Sequence, residues 1–227
     1  ETEKSMLTAP LQRRSFLQFA GAGAAVIALT AVGCKKDGND GPMANGVTLD
    51  FKDDFGVLNY AYALEQLEAA FYIQVAANPP SAFSTVEKNY FQDIQFLEIA
   101  HREFFKKALN TASIGSLDVD FSSINFTDRT SVLNAAKAFE DLGVAAYNGA
   151  GRLITSADYL LFAGKIVSVE ARHASAIRSL LNPNSKDFAG DDVVSATNGL
   201  DQALAPAQII AAAGGFFETP FTANFLV

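Results

Sequence analysis

The 227-residue sequence contains no tryptophan, one cysteine, two histidines and two methionines. A single cysteine excludes an internal disulfide, so the folded part has to be stabilised by its hydrophobic core. The apolar volume for that core comes from 19 phenylalanines, together with many alanines and leucines. Because there are only two histidines, the position of each one can be weighed individually.

Positive charge is also scarce, since 17 Lys and Arg residues face 25 Asp and Glu residues and give a net charge of −8. Proteins that bind nucleic acids need cationic side chains to contact the phosphates. This charge balance therefore argues against a nucleic-acid partner. It is compatible with attracting cations, although net charge alone does not establish a cation site.

Residues 1–33 have the pattern of an export signal. The stretch QRRSFLQ at positions 12–18 matches the twin-arginine pattern, and an apolar run over residues 16–32 leads to the only cysteine, Cys34. A basic start, a short apolar stretch and small residues before a cut site are typical of a signal peptide. Cys34 stands where a lipoprotein signal peptidase would cleave and where a lipid would be attached. An uncleaved membrane helix is the alternative, because the run is close to the ~17–25 residues that span a bilayer.

These features predict an exported protein that is anchored on the periplasmic side of a bacterial cell envelope by a lipid or by a helix. Residues 34–50 include the polar stretch KKDGNDGPMAN and are expected to form a flexible tether. The rest of the chain is long enough for one domain with a sizeable core. We expect a helical bundle over residues 51–182, followed over residues 183–227 by one more helix and a tail that packs on the bundle.

Four long segments show apolar residues at helical spacings of three and four, at about residues 54–77, 84–110, 128–154 and 156–181. The first segment is closed by NPP at positions 78–80 and the fourth by NPN at positions 182–184. Residues 111–127 break the pattern, which predicts a long crossover between helices two and three. An additional C-terminal helix is expected at about residues 202–213, followed by an irregular apolar tail.

Each histidine lies three residues after a glutamate, in the pairs Glu98–His101 and Glu170–His173. Residues i and i+3 of a helix are surface neighbours with Cβ atoms about 5–6 Å apart. The carboxylate and the imidazole of each pair can therefore turn toward one metal ion. Both pairs also fall on the apolar stripe of their predicted helix, so they point toward the core of the bundle.

The first and third predicted helices each carry a glutamate inside an apolar stripe, Glu65 and Glu140. A bare carboxylate in an apolar core costs several kcal/mol unless it is paired or bound to a metal. Four such carboxylates carry a charge of −4, which two divalent cations balance. Glu68 lies one turn after Glu65, and it is either an additional ligand or the ligand in place of Glu65.

Each half of the chain repeats the same order of residues. A single glutamate is followed seven residues later by a tyrosine, Tyr72 or Tyr147, and then by Glu-x-x-His on the next helix. Seven residues are two helical turns, so each tyrosine is expected on the same face as its glutamate. There it can hydrogen-bond a metal ligand. The tyrosine at this spacing favours Glu65 over Glu68 as the ligand.

The combined series of Glu, Glu-x-x-His, Glu and Glu-x-x-His over residues 54–181 resembles the ferritin-like superfamily, in particular exported ferritin-like domain proteins of the desiccation-related type. This resemblance implies an all-α, ferritin-like four-helix bundle. It also implies two Fe or Mn ions held by Glu65, Glu98, His101, Glu140, Glu170 and His173. Glu98 and either Glu140 or Glu170 would lie between the ions, and the sequence leaves this choice open.

The function that this resemblance implies is oxidase, peroxidase or catalase-like chemistry on O2, peroxide or ferrous iron. Two alternatives remain open. One is a metal-binding or stress-protective envelope protein without enzymatic activity. The other is an accessory subunit of an envelope complex, and a homo-oligomer is compatible with either.

Overall fold

The computed structural model describes residues 46–225, which form a mostly helical domain. The predicted signal segment, Cys34 and the tether up to residue 45 lie outside the described residues. Within residues 46–225, no helix is both long enough and apolar enough to cross a membrane. The elements in chain order are β1 (Val47–Asp50), α1 (Asp54–Ala77), α2 (Thr85–Leu109), α3 (Arg129–Ala150), α4 (Ala157–Leu181), α5 (Pro206–Ala213) and β2 (Phe221–Asn224).

Polar N-caps fix where the four long helices begin. The side chains of Asp53, Ser84, Asp128 and Ser156 each accept a hydrogen bond from a backbone N–H in the first turn, the interaction that stabilises a helix N-terminus. Ser84 and Glu87 form a complete capping box. The all-α bundle predicted from the periodicity is therefore present, and its long helices begin and end within a few residues of the predicted positions.

The starts of α2 and α3 lie side by side. Glu87, in the first turn of α2, accepts a hydrogen bond of 2.6 Å from Arg129 Nε at the start of α3. A second guanidinium nitrogen of Arg129 donates to the carbonyl of Leu180, close to the end of α4. Helices two and three thus begin at the same end of the bundle, which is why the chain needs the long crossover between them.

Helix α1 is buried on almost every side. It packs against α2 and contacts α3, and 17 of its 24 residues are buried. The crossover covers its outer face through two polar side chains of α1. Asn59 donates to the carbonyl of Ala112, and Gln66 accepts a hydrogen bond of 2.9 Å from the backbone N–H of Leu117.

A two-stranded sheet forms where the sequence predicted the end of a flexible tether and an irregular tail. Residues 47–50, placed at the end of the tether by sequence, form β1, which pairs in parallel with β2 in the register Val47 to Phe221. Val47 and Leu49 are buried, so one face of β1 is apolar and packs into the domain. The strands are only four residues long and far apart in sequence, which hides their pairing from a pattern search.

The C-terminal helix is shorter than expected. It begins at Pro206, at the N1 position where proline is tolerated, rather than near residue 202. The preceding residues are extended instead, because the N–H of Leu204 donates to the carbonyl of Ala145 in α3. The crossover also contains one extended contact, an antiparallel bridge between Val119 and Phe217.

One buried guanidinium ties the segment after α4 to the bundle. Arg178 is 2% exposed and donates to Asp141 of α3 at 2.7 and 2.8 Å. It also donates to Asp192, beyond the end of α4, at 2.8 and 3.0 Å. These bonds hold the C-terminal segment against α3 and α4.

We expect Arg178→Leu to lower the free energy of unfolding by about 2–3 kcal/mol, because it leaves Asp141 without its cationic partner and Asp192 with only Lys137, 3.5 Å away. Urea denaturation followed by circular dichroism measures this change. Lys186→Leu is the matched control, since Lys186 and Asp191 lie 2.6 Å apart but both are exposed, and such pairs contribute little. Equal losses in the two variants would contradict this assignment.

Candidate metal centre

The six residues expected as metal ligands come together in the interior of the bundle. Each of the four long helices contributes to the cluster, with Glu65 on α1, Glu98 and His101 on α2, Glu140 on α3, and Glu170 and His173 on α4. All four glutamates are fully buried, and the histidines are 9% and 5% exposed. The cluster exists because each of these residues lies on the apolar, inward face of its helix.

The side chains form two groups of four donors, and within each group the donor atoms lie within 4.8 Å of one another. One group is Glu65, Glu98, His101 and Glu170, and the other is Glu98, Glu140, Glu170 and His173. Glu98 and Glu170 belong to both groups. The geometry thus places these two carboxylates between the two positions and leaves Glu65 and Glu140 on the outside, a choice that the sequence left open.

Each imidazole lies closest to the glutamate of the other Glu-x-x-His pair. His101 Nδ1 is 2.8 Å from Glu170 Oε1 but 3.5 Å from Glu98 Oε2. His173 Nδ1 is 2.8 Å from Glu98 Oε1 but 3.7 Å from Glu170 Oε2. The ring centroids are 6.4 Å apart, so α2 and α4 present their pairs to one shared space in nearly equivalent ways.

Most of these atoms have no hydrogen bond. Among residues 46–225, nine of the eleven buried side-chain nitrogen and oxygen atoms without a hydrogen-bond partner belong to these six residues. The imidazole nitrogens and carboxylate oxygens instead approach one another as ion pairs, at 2.8 Å in the two shortest cases. Buried polar atoms without partners are costly. Carboxylate oxygens and imidazole nitrogens together suit Fe and Mn ions, so the residues fit a metal centre.

Without a metal, protons would have to neutralise part of the charge. Burial, reinforced by the charge of Glu170, raises the pKa of Glu65 to about 8. Burial also raises the pKa of Glu140 well above its usual range. Burial acts in the same direction on Glu170, but His101 and His173 outweigh it and lower the pKa of Glu170 to about 2. Burial alone would lower the pKa of His173, but Glu140 and the other carboxylates raise it to about 12.

The two tyrosines bind glutamates of the cluster, but across the halves of the chain. Tyr72 of α1 donates a hydrogen bond of 2.5 Å to Glu140 of α3, and Tyr147 of α3 donates to Glu65 of α1. Each tyrosine therefore contacts the glutamate of the other half, which spacing along one helix could not reveal. The two bonds fix the orientation of the outer carboxylates.

Glu68 is buried beside the cluster but belongs to neither group of four donors. The geometry thus gathers Glu65, rather than Glu68, around His101. The carboxylate of Glu68 lies against α3 at Gly143, where an added Cβ atom would be 2.8 Å from Glu68 Oε1. Gly143 stands three residues after Glu140, as Glu68 stands three after Glu65. The sequence analysis did not identify this glycine as the residue that makes room for Glu68, although the shared spacing of three residues indicates it.

The fold and the cluster define a class of protein, a helical bundle whose four long helices carry carboxylates and imidazoles into its core. A family model described as the ferritin-like domain matches residues 53–183, which include α1 to α4. This is more than half of the chain, and the chain belongs to the ferritin-like domain family. None of the curated proteins matches the chain. The matched region leaves out β1, α5 and β2.

We expect the metal-free chain to be most stable near pH 5. Stability that depends on ionised Glu170 is present above the unfolded pKa and is lost as the pH falls toward 2. Glu65 changes stability with pH in the opposite direction. Its raised pKa makes the free energy of unfolding fall as the pH rises from about 5 to 8, by up to about 1.4 kcal/mol per pH unit. His173 continues this loss at higher pH.

Urea denaturation between pH 4 and 9 in the presence of a chelator measures this dependence. Glu65→Gln should make the decrease above pH 5 less steep, because glutamine does not titrate, while Glu140 and His173 still contribute to it. The partly exposed Glu103 provides the control, and Glu103→Gln should leave the pH profile unchanged. A profile that is flat from pH 5 to 9 in the unsubstituted chain would show that Glu65 is not held protonated.

Proposed function

We propose that this chain binds two Fe or Mn ions and acts as a di-metal oxidoreductase on O2, peroxide or ferrous iron. The observation that carries the proposal is the cluster of buried carboxylate and imidazole atoms without hydrogen-bond partners. Glu65 and His101 would hold one ion, Glu140 and His173 would hold the other, and Glu98 and Glu170 would contact both. When bound, a pair of such ions supplies electrons for the reduction of oxygen or peroxide.

The charge of the cluster supports two cations rather than one. The four glutamates that belong to the two donor groups carry −4 when ionised, and two divalent ions supply +4. A single divalent ion would leave buried negative charge to be neutralised by protons, at a cost in a medium of low dielectric constant. Glu68 is a further carboxylate buried beside these four, and burial, reinforced by the charges of the other glutamates, raises its pKa well above its usual range.

The side chains around the donors prepare the site for this role. Tyr72 and Tyr147 hold the outer carboxylates, so Glu140 and Glu65 are oriented before a metal arrives. The fully buried glutamates exclude bulk water from the centre of the cluster. Exclusion of water strengthens the interaction between the carboxylates and a cation.

We also propose that the chain is exported and held at the periplasmic face of a bacterial membrane. The support for this part of the proposal is the sequence pattern at positions 12–34, with its paired arginines, apolar run and Cys34. A twin-arginine route is compatible with a domain that acquires its metal before export.

A second function is favoured by the depth of the cluster. Glu65, Glu98, Glu140 and Glu170 are all 0% exposed, so bound ions would also cross-link the four helices from inside. In this second proposal the ions serve mainly to hold the bundle together, without turnover. Measurements of metal content and of turnover distinguish the two functions.

We expect the chain, purified without chelators, to contain about two Fe or Mn ions per molecule, as di-metal bundles do. The double variant Glu98→Ala/Glu170→Ala should lose both ions, because these residues belong to both donor groups. Glu65→Ala should lose the ion on its own side first. Elemental mass spectrometry measures the content, and Glu103→Ala is the control on α2. If anaerobic loading with Fe(II) or Mn(II) leaves the unsubstituted chain without bound metal, the di-metal proposal fails.

We further expect the metal-loaded chain to consume peroxide, and His173→Ala to reduce the rate by at least about 10- to 100-fold, because it removes a donor of one group. Peroxide loss is followed by its ultraviolet absorbance. Ser179→Ala, on the exposed side of α4, is the control. A loaded chain that melts at a higher temperature than the metal-free chain, but turns over neither peroxide, O2 nor Fe(II), would favour the second function.

A further inference from the structure

Three consecutive apolar side chains are exposed near the start of α4. Leu160, Leu161 and Phe162 are 48%, 55% and 40% exposed, and all three lie in the first two turns of this helix. Phe55, in the first turn of α1, is 42% exposed as well. A run of exposed apolar residues is unfavourable in water and is typical of a contact surface. We call these four residues the apolar tip.

Hydrogen bonds and a ring contact place the apolar tip at one end of the bundle. The carboxylate of Asp54, next to Phe55 in the chain, accepts hydrogen bonds from the backbone N–H groups of Thr155 and Ser156. Helices α1 and α4 therefore begin side by side. The ring centroids of Phe162 and Phe104 are 5.1 Å apart, so the last turns of α2 lie at the same end.

Exposed positive charge lies beside the apolar tip, in a chain whose net charge is −8. Lys165 Nζ is 5.2 Å from the centre of the Phe162 ring. Lys106 and Lys107 stand in the last turn of α2, and all three lysines are exposed. This combination of apolar side chains and flanking lysines matches the surface of a bilayer that carries anionic head groups.

Most carboxylates at this end of the described chain are balanced by other contacts. Asp50 is paired with Lys52, and Glu103 with Arg102. Asp53 and Asp54 accept hydrogen bonds from backbone N–H groups at the starts of α1 and α4, where the partial positive charge of a helix N-terminus offsets them. Asp158 is the remaining acidic residue in the first turn of α4. The three lysines therefore outweigh the acidic charge that is left.

The described fold also begins near this end of the bundle. Asp50, the last residue of β1, lies so close to the start of α1 that a Cβ atom added at Gly56 would be 1.8 Å from its carbonyl oxygen. Gly46 precedes β1 and is within about 13 Å of Asp50, at ~3.3 Å per residue. Cys34 is 12 residues before Gly46, which is about 20 Å for a flexible coil. A lipid on Cys34 would thus keep the apolar tip within reach of the membrane.

We propose that the apolar tip docks on an anionic lipid bilayer, with Leu160 and Leu161 at the boundary between head groups and acyl chains and Lys165 against the head groups. This inference rests on the proposed anchoring at the membrane and deepens it, because it assigns the face of the domain that meets the lipid. Apolar side chains at such surfaces enter the bilayer by about 5–10 Å. Docking itself requires no metal.

The absence of tryptophan from the chain allows a single fluorescent reporter. Leu161→Trp in the full chain, bound to vesicles of brominated phosphatidylcholine and phosphatidylglycerol, should lose about half or more of its fluorescence, because bromine quenches an indole at the acyl boundary. Phe188→Trp is the matched control. Phe188 is also 55% exposed but follows the end of α4, at the opposite end of the bundle, so its fluorescence should not fall. Both chains carry the same N-terminal segment, so tethering alone affects them equally.

Charge reversal tests the role of the lysines. In the Leu161→Trp chain, Lys165→Glu should lower the ratio of quenched to unquenched molecules about fivefold or more, because each lysine near an anionic surface contributes about that factor. Lys186→Glu is the control, since Lys186 is exposed and lies beyond the end of α4. It should leave the quenching unchanged. The thermal unfolding midpoint of each variant checks that the domain is folded.

The proposal is overturned if vesicle-bound chain shows no more quenching at position 161 than at position 188, a result that leaves the anchoring intact. A blue shift at position 161 that grows with protein concentration without vesicles would also overturn it, because a second copy of the chain would then cover the apolar tip. Mass spectrometry of Cys34 in chain isolated from bacterial membranes tests the anchor separately. Quenching at position 161 together with an unmodified Cys34 would support docking and refute only the lipid anchor.

Discussion

The fold depends on how the bundle accommodates five glutamates and two histidines between its four long helices. In a medium of low dielectric constant, these carboxylates cannot all be ionised unless cations or protons balance them. The raised pKa of Glu65 and the lowered pKa of Glu170 show how the metal-free cluster divides this compensation between protonated and ionised carboxylates. Metal ions would replace the protons and satisfy the unpaired atoms at the same time. The site and the packing of the four helices therefore have one physical cause.

Helix α1 contributes two of the five glutamates, and it is the most enclosed of the long helices. It contributes Glu65, Glu68 and Tyr72, and its remaining faces are covered by segments that lie largely or wholly outside the four-helix motif. The crossover binds Asn59 and Gln66, and β1 precedes α1 and pairs with β2. Aromatic contacts such as Phe139 with Phe216 at 4.8 Å hold the C-terminal segment against the bundle. The added segments thus keep water away from the helix that holds Glu65 and Glu68.

Sequence patterns predicted the helices and the inward glutamates because both follow from periodicity along one helix. The spacing of three residues between Glu98 and His101 fixes their relative position whatever the fold. Which carboxylates are shared by the two donor groups depends on how closely α2 approaches α4, and the hydrogen bond from Tyr147 to Glu65 depends on how α3 faces α1. The pairing of β1 with β2 joins residues that are 174 positions apart. These features arise from tertiary packing, so periodicity along the chain does not contain them.

The two halves of the cluster are related by repetition but differ in their surroundings. Glu68 in the first half corresponds to Gly143 in the second, and the missing side chain at Gly143 leaves the space that the Glu68 carboxylate occupies. Tyr72 is fully buried, and its ring contacts Phe71 and Phe91, whereas Tyr147 is only partly buried. The repeated sequence therefore builds two donor groups with equivalent residues and different surroundings.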